Sequence, residues 1–454
     1  MLLNFTVENC LSFMSEQEFT MLRKGQRSTQ NKQDVRSWIS PVAAIYGDNA
    51  AGKSNLLKCV NFFSNFVRNS FVPREGINTQ PFLLDREKVD QPSTFYIEFI
   101  AKDGNRYQYW FSIDAHKVLE EVLWMFRPET NRRTVVFERE SGKKIKIGAQ
   151  FHNIEKIAHL VRENALLLSA AAALGITGVM PAYDIIVNGI QCYPAVDFNN
   201  SFGVFVHRIR KNPSRALLLS KLIRVADFGI TDVDFKEEDV PEELLEELRK
   251  LEESGISGNL TSTGGEILGD FSESSSPKYF MPRVLFSHQG KGIVRQLSEQ
   301  WESQGTKNVM LLLDWVLDSL ERPSIMLLDE PDVSISTSLF SEIIKLYRDS
   351  ATNPNNSQLI FTTHNETLMS ASGADDRVLD RDQIWIVKKN LNTGESTLNW
   401  LMDWSPNSKE NYGKNYRHGV YGGLAQPNLY ATVKDYFAKP KDAEKKLDAD
   451  AQIL

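Results

Sequence analysis

The chain has 454 residues, 41% hydrophobic and 24% charged, a balance that excludes wholesale disorder and fibrous architectures and leaves room for two or three domains, or one large domain carrying an insertion. A net charge of −7 with a pI near 5.7 excludes a surface that is basic throughout, so nucleic acid is not indicated as a partner by charge and could be met only in a local groove. No stretch approaches the roughly 20 apolar residues of a membrane helix, the opening MLLNFTVENCLSF lacks the layout of a secretion signal, and Cys10, Cys59 and Cys192 form no CxxC pair. A cytoplasmic chain with reduced thiols and no membrane partner is expected.

In chain order, Leu2 to Val7, Glu18 to Leu22 and Val42 to Tyr46 read as strands, the last an apolar run that stops at Gly47. Asn55 to Val67 reads as a helix with Leu56, Val60, Phe63 and Val67 on one face. From Thr94 to Ile147 four strand-like runs (Phe95 to Ile100, Tyr107 to Ile113, Glu121 to Phe126, Val135 to Glu138) are separated by turn dipeptides, which predicts an antiparallel sheet. The clusters Arg132-Arg133 and Lys143-Lys144 within it read as solvated turns. Ile154 to Leu174 is predicted as one long Ala-rich helix and Pro213 to Val225 as another. Asp239 to Glu253 is predicted as an acidic amphipathic helix, and Ser254 to Pro277, rich in Gly and Ser, as a flexible loop. Beyond Arg283 the α/β pattern returns: a helix over Val309 to Leu320 and short apolar strands at Met326 to Leu328, Leu359 to Thr362 and Ile384 to Val387. The core is therefore expected to be split between the two ends of the chain.

Four pieces carry chemistry. Gly47-Asp48-Asn49-Ala50-Ala51-Gly52-Lys53-Ser54 satisfies GxxxxGK[ST] between a strand and a helix, the context in which backbone N–H groups cradle phosphates, a lysine reaches the β- and γ-phosphates and a hydroxyl ligates Mg²⁺. Ile325 to Leu328 is a hydrophobic strand ending in Asp329 and Glu330; paired with the phosphate loop, Asp329 is expected to hold the Mg²⁺ shell and Glu330 to polarise the attacking water. Thr362-Thr363-His364 closes the next apolar strand and would set an imidazole beside Glu330. Glu302-Ser303-Gln304-Gly305-Thr306 precedes an apolar helix, where Ser303 suits an N-cap and the turn offers N–H groups and a hydroxyl to an anion.

In the order of these pieces the chain resembles the ABC/SMC-type ATPases, in particular the compact heads of the recombination-protein F and overcoming-lysogenization-defect groups. The resemblance implies an α/β ABC/SMC-like head with an antiparallel β subdomain and a mainly helical insertion. Residues 1–150 would supply the phosphate loop and β subdomain, 151–282 the insertion, 283–400 the rest of the head and 401–454 an extension. It also implies ATP and Mg²⁺ as ligands and a composite site, in which Ser303 and Gly305 of one protomer cap ATP held on Gly47 to Ser54 of another, with Asp332 at the D-loop position; the working unit would be a dimer or larger.

Closer still, Asn9-Cys10-Leu11-Ser12-Phe13, Pro81-Phe82, Arg381-Asp382-Gln383-Ile384-Trp385 and Tyr416 to Gly423, together with the Ser303 segment, are similar to the abortive-infection ATPases of bacterial antiphage loci. That likeness implies a separate toxic effector as partner, a nuclease or toxin, and a phage-derived trigger. An alternative is a DNA-repair ATPase of the recombination-protein F kind that clamps DNA, which needs a positive groove. A third reading, a metal-dependent nuclease appended after His364, finds no convincing metal cluster among the acidic residues that follow it. Two departures predict slow hydrolysis: Ser334-Ile335-Ser336-Thr337 stands where the family has Ser-Leu-His-Pro, and Gln80 is only a candidate for the Q-loop glutamine.

Overall fold

The computed structural model of the chain describes residues 1–25, 37–73, 75–193, 198–226, 229–240, 242, 245, 260–262, 265–270, 278–333, 335–370, 377–407, 410–422 and 429–438. Three sheets organise them. The first is antiparallel throughout, in the spatial order Gln17–Thr20, Leu2–Glu8, Ser93–Ile100, Arg106–Ile113, Val118–Phe126, Arg133–Glu140 and Lys146–Ile147. Phe95, Ile97 and Phe99 alternate with half-buried Tyr96 and with Glu98, which is buried in a pair with Arg106, and face the same core as Tyr109, Phe111 and Ile113, a period-two pattern.

The second sheet has the order Ser396–Trp400, Ile384–Lys389, Val42–Tyr46, Gln358–Thr362, Ile325–Leu328 and Ile190–Tyr193; every pair is parallel except the first. Its central strands are continuous buried apolar runs because both faces are covered. Ala43 and Ile45 point into one core, shared with the first sheet and the helix Lys53–Asn69 between them; Val42, Ala44 and Tyr46 point into the other, against the helices Gln304–Glu321 and Thr337–Arg348. Leu56, Val60, Phe63 and Val67 are buried on the first of these helices, as their spacing predicts, and Phe63 stacks on Phe111 with centroids 5.2 Å apart.

The third sheet pairs Ile230–Asp239 with Lys278–Gln289, whose other edge carries Gly265–Asp270 and Val294–Ser298; Leu260–Ser262 pairs with Gly265–Asp270. The region expected to be mainly helical thus supplies helices, among them Leu167–Ala173, Met180–Asp184, Phe198–Arg210 and Pro213–Ala226, together with most of this sheet. Buried Val233, Phe235, Val284 and Phe286 join the helices in one core, a cross-strand arrangement that a helical reading of the segment does not contain. Part of the expected Gly/Ser loop is the hairpin 260–262/265–270. Most of the predicted acidic helix and the tail from Lys439 lie outside the described residues.

Ile154 to Leu174 is not one helix. A short turn, Glu155–Ala158, is separated from Leu167–Ala173 by a segment whose polar groups are taken by neighbours: Arg162 donates to the carbonyls of Ser70 and Phe71, Val118 N–H donates to Glu163 O, and Leu166 N–H donates to Ser70 Oγ. Among the described residues no helix is long and apolar enough to cross a membrane.

Candidate functional site

The Val42–Tyr46 strand ends at the carboxyl edge of the parallel sheet, and the chain turns there through Gly47 (φ 151), Ala50 (φ 60) and Gly52 (φ 112) before the helix begins at Lys53. Glycine is required twice. A Cβ on Gly47 would lie 2.6 Å from the Val387 carbonyl oxygen, and one on Gly52 would lie 2.5 Å from Ser396 Oγ and 2.8 Å from Ser12 Oγ. Ser396 Oγ donates to Ala51 O at 2.6 Å and Asn55 Nδ2 donates to Ser12 Oγ at 2.8 Å, so serines from opposite ends of the sequence pin the loop from outside. Asp48 is half-buried, Asn49 and Ala50 are exposed, and Ala51 is buried.

Lys53 is only 4% exposed; its Nζ donates to the carbonyls of Gly47 and Asp48, each at 3.1 Å. Burial lowers its pKa, opposed by the nearby carboxylates of Glu330 and Asp329. Ser54 Oγ donates to Asp329 Oδ1 at 3.0 Å, and Thr362 Oγ1 donates to the same oxygen at 2.5 Å while accepting from Glu330 N–H at 2.9 Å. Glu330 holds a left-handed backbone (φ 47), a conformation uncommon for a side-chain-bearing residue and concentrated at functional sites.

His364 Nε2 lies 2.6 Å from Lys53 Nζ and 3.1 Å from Glu330 Oε1. One nitrogen cannot accept from the lysine and donate to the carboxylate at once, so the imidazole has two alternative partners. Asp332 Oδ2 accepts from Thr363 Oγ1 at 2.6 Å, whereas its Oδ1 is buried without a partner; burial raises this carboxyl's pKa, Thr363 opposing. Lys53, Ser54, Asp329, Glu330 and His364 thus meet in one place, on the ends of three adjacent parallel strands.

Ser303 stands apart from this cluster. It is the N-cap of the helix Gln304–Glu321, its Oγ accepting from Thr306 N–H at 3.0 Å, while Gly305 sits in the first turn. Gln80 is exposed and its carbonyl accepts from Leu11 N–H at 2.7 Å. Sequence reasoning gave no role to Thr362, Ser12, Ser396 or Thr363. Ser12, Thr362 and Thr363 do fall inside segments that stood out, but nothing in a single sequence pairs residue 12 with residue 396.

The donor set suits Mg²⁺ with nucleotide phosphates: one hydroxyl and one carboxylate 3.0 Å apart at a helix N-terminus, with oxygen ligands only. Among the described residues no group of three or more His, Cys, Asp or Glu side chains is placed to hold a metal without such a ligand.

Among curated proteins there is no match to the chain. Similar solved structures include the SMC head domain from Thermotoga maritima, at 14% identity over 88% of this chain and 98% of that one, TM-score 0.35. A second is the Smc head domain with an extended coiled coil bound to the C-terminal domain of ScpA, from Pyrococcus furiosus, at 13% identity over 92% and 98%, TM-score 0.33. A third is the recombination mediator protein RecF with ATP, at 12% identity over 88% and 99%, TM-score 0.37. Scores of this size leave the fold to rest on the sheet order above. A family profile described as "AAA domain, putative AbiEii toxin, Type IV TA system" matches residues 42–370, from the strand that feeds the phosphate loop to just beyond His364. That span is more than half of the 454 residues, and the chain belongs to this AAA-domain family.

Proposed function

We propose that this protein binds and hydrolyses ATP and acts as the switch or scaffold subunit of a bacterial antiphage, abortive-infection system, controlling a separate toxic effector. The observation that carries the ATPase reading is the Ser54–Asp329 contact at 3.0 Å with Lys53, Glu330 and His364 around it. The family description, which names a toxin of a type IV toxin–antitoxin system, supports the defence role.

In this reading the backbone N–H groups of Gly47 to Ser54 and the Lys53 ammonium bind the phosphates. Ser54 and Asp329 would hold Mg²⁺, which would supply positive charge to offset that of the phosphates. Thr362 fixes the Asp329 carboxylate and the Glu330 backbone together. Glu330 orients the attacking water and takes up its proton as ATP becomes ADP and phosphate. His364 exchanges Lys53 for Glu330 as partner and so registers the γ-phosphate. Ser303, Gly305 and Asp332 of a second copy complete the site, making the working unit a dimer or larger assembly in the cytoplasm. The effector, a nuclease or toxin, responds to the population shift between open and closed pairs, set by a phage-derived trigger.

The test is ATP turnover and size by light scattering for the wild type, Lys53→Ala and Glu330→Gln, each with and without ATP and Mg²⁺. Both variants should lose turnover, and Glu330→Gln should retain ATP in a dimer or larger species. A wild type that neither binds ATP nor differs from the variants overturns the reading.

A further inference from the structure

The helix Tyr412–Arg417 lies far along the chain from the phosphate loop, yet it is keyed into both ends of the nucleotide site. Tyr412 and Tyr416 are buried at its core-facing side. Arg377 roots it, donating to Tyr412 Oη and to Glu410 O, each at 2.6 Å, with its guanidinium 4.3 Å from the Tyr412 ring centroid. On one side the Tyr416 ring meets the Tyr46 ring edge to face, centroids 5.8 Å apart, and Tyr46 is the residue that immediately precedes Gly47. Burial raises the pKa of the Tyr416 hydroxyl, the Asp48 carboxylate adding to the shift and the Gly47 backbone opposing it.

On the other side the helix grips the turn that directly follows His364. Tyr46 Oη donates to Asn365 O at 3.3 Å, Arg417 Nε donates to Glu366 Oε1 at 2.7 Å, and Gly413 is packed so closely that a Cβ there would run into Ser370 Oγ and lie 2.5 Å from Glu366 O. The next segment continues the grip on the neighbouring strand: a Cβ on Gly422 would lie 2.8 Å from Lys388 Cε, and Lys388 Nζ sits 4.4 Å from the Trp404 ring centroid. The buried aromatics, the glycine that only fits without a side chain and the ion pair therefore all fall where the loop entry and the His364 turn must be held.

We propose that the helix Tyr412–Arg417 is a positioning element of the nucleotide site, in which Tyr416 sets the entry of the phosphate loop and Gly413 and Arg417 set the turn that aims His364. The inference rests on the ATPase reading above and adds to it a direct line between nucleotide occupancy and the C-terminal segment. Because coupling free energies are reciprocal, nucleotide that orders the loop and the turn must also order the helix.

The test compares wild type, Tyr416→Leu, Gly413→Val and Arg417→Ala, each checked for folding by thermal melting. Affinity for a fluorescent ATP analogue, kcat and KM, and hydrogen exchange of residues 410–422 with and without ATP and Mg²⁺ are then measured. Tyr416→Leu is expected to weaken analogue binding about three- to tenfold with a matching rise in KM, the loss of the edge-to-face ring contact with Tyr46 at the loop entry. Gly413→Val is expected to lower kcat about tenfold or more while analogue affinity stays within about threefold; should it fail to fold, Arg417→Ala shows the same split in smaller measure. In the wild type, ATP slows exchange across 410–422. If the wild type binds and turns over ATP while the folded variants match it in affinity and kcat, or if ATP leaves exchange in 410–422 unchanged, the positioning role is overturned and the ATPase reading stands. A wild type that does not bind the analogue sinks the ATPase reading first.

Discussion

The Thr362 hydroxyl stands between the two acidic residues, donating to Asp329 Oδ1 and accepting from Glu330 N–H, and its side chain is fully buried. Valine has the same shape without the hydroxyl, so Thr362→Val removes both bonds and leaves a Glu330 N–H unpaired, at about 1–3 kcal/mol for a buried donor. Support of this kind around a metal-binding carboxylate is typically worth about 10–100-fold. Thr362→Val should therefore lower turnover by roughly that factor and raise the Mg²⁺ concentration needed for half-maximal phosphate release, read in a Mg²⁺ titration. Gly52→Ala should be harsher: the backbone is at φ 112 and the new Cβ would press on both Ser396 Oγ and Ser12 Oγ. Loss of fluorescent-nucleotide binding with a small change in melting temperature is the expected outcome, since the strain is confined to the loop. The glycine was legible as part of its motif; the serines that make it indispensable were not, because a pattern within eight residues is silent about contacts from residues 12 and 396.

Elements with strong local patterns came through from the sequence, and those decided by distant partners did not. The strand Val42–Tyr46 and the helix carrying Leu56, Val60, Phe63 and Val67 follow from periodicity and a glycine stop. Ile190–Tyr193, with Gln191 inside it, carries no strong strand pattern, yet it pairs in parallel with Ile325–Leu328 and closes the edge of the core sheet, so a core strand lies within the stretch 151–282 expected to be an insertion. The broken helix between Ile154 and Leu174 is the clearest case of tertiary override. Glu121, on the neighbouring sheet, accepts from Leu167 N–H and Leu168 N–H at 2.6 and 2.9 Å, capping a new helix start there, and from Tyr109 Oη at 3.0 Å, with Arg139 Nη1 3.5 Å away. The carboxylate is wholly buried, and burial raises its pKa against these donors. Removing one partner of a buried pair costs about 3–5 kcal/mol, because the Arg139 charge then keeps only the Ala165 and Arg162 carbonyls as partners. Glu121→Ala should lower unfolding free energy by about that amount in urea titrations, and a variant within about 0.5 kcal/mol of wild type would show that the capping is incidental.

The core sheet draws five of its six strands from the two ends of the chain and one, Ile190–Tyr193, from its middle, which is why the loop from one end and the Asp329–Glu330 strand from the other share a carboxyl edge. The helix that begins at Ser303 spans 18 residues, about 27 Å, and turns into a strand of four residues, about 13 Å. The cap of Ser303 and Gly305 lies at the N-terminal end of this helix. Beside it the large apolar side chain of Trp301 is 79% exposed, and Val333, next to Asp332, is 76% exposed. Isolated exposed apolar residues are ordinary on a monomer, but two of them flanking the turns assigned to a second copy are what a closing head-to-head contact would cover, and tryptophans are the commonest anchors of such contacts. Under the composite-site reading, Trp301→Glu should leave nucleotide binding by the separate chains within about twofold of wild type, abolish the ATP-dependent size increase in light scattering and reduce turnover by about tenfold or more. Turnover that survives while every species stays monomeric would mean that each chain completes its own site and that Ser303 is only a helix cap.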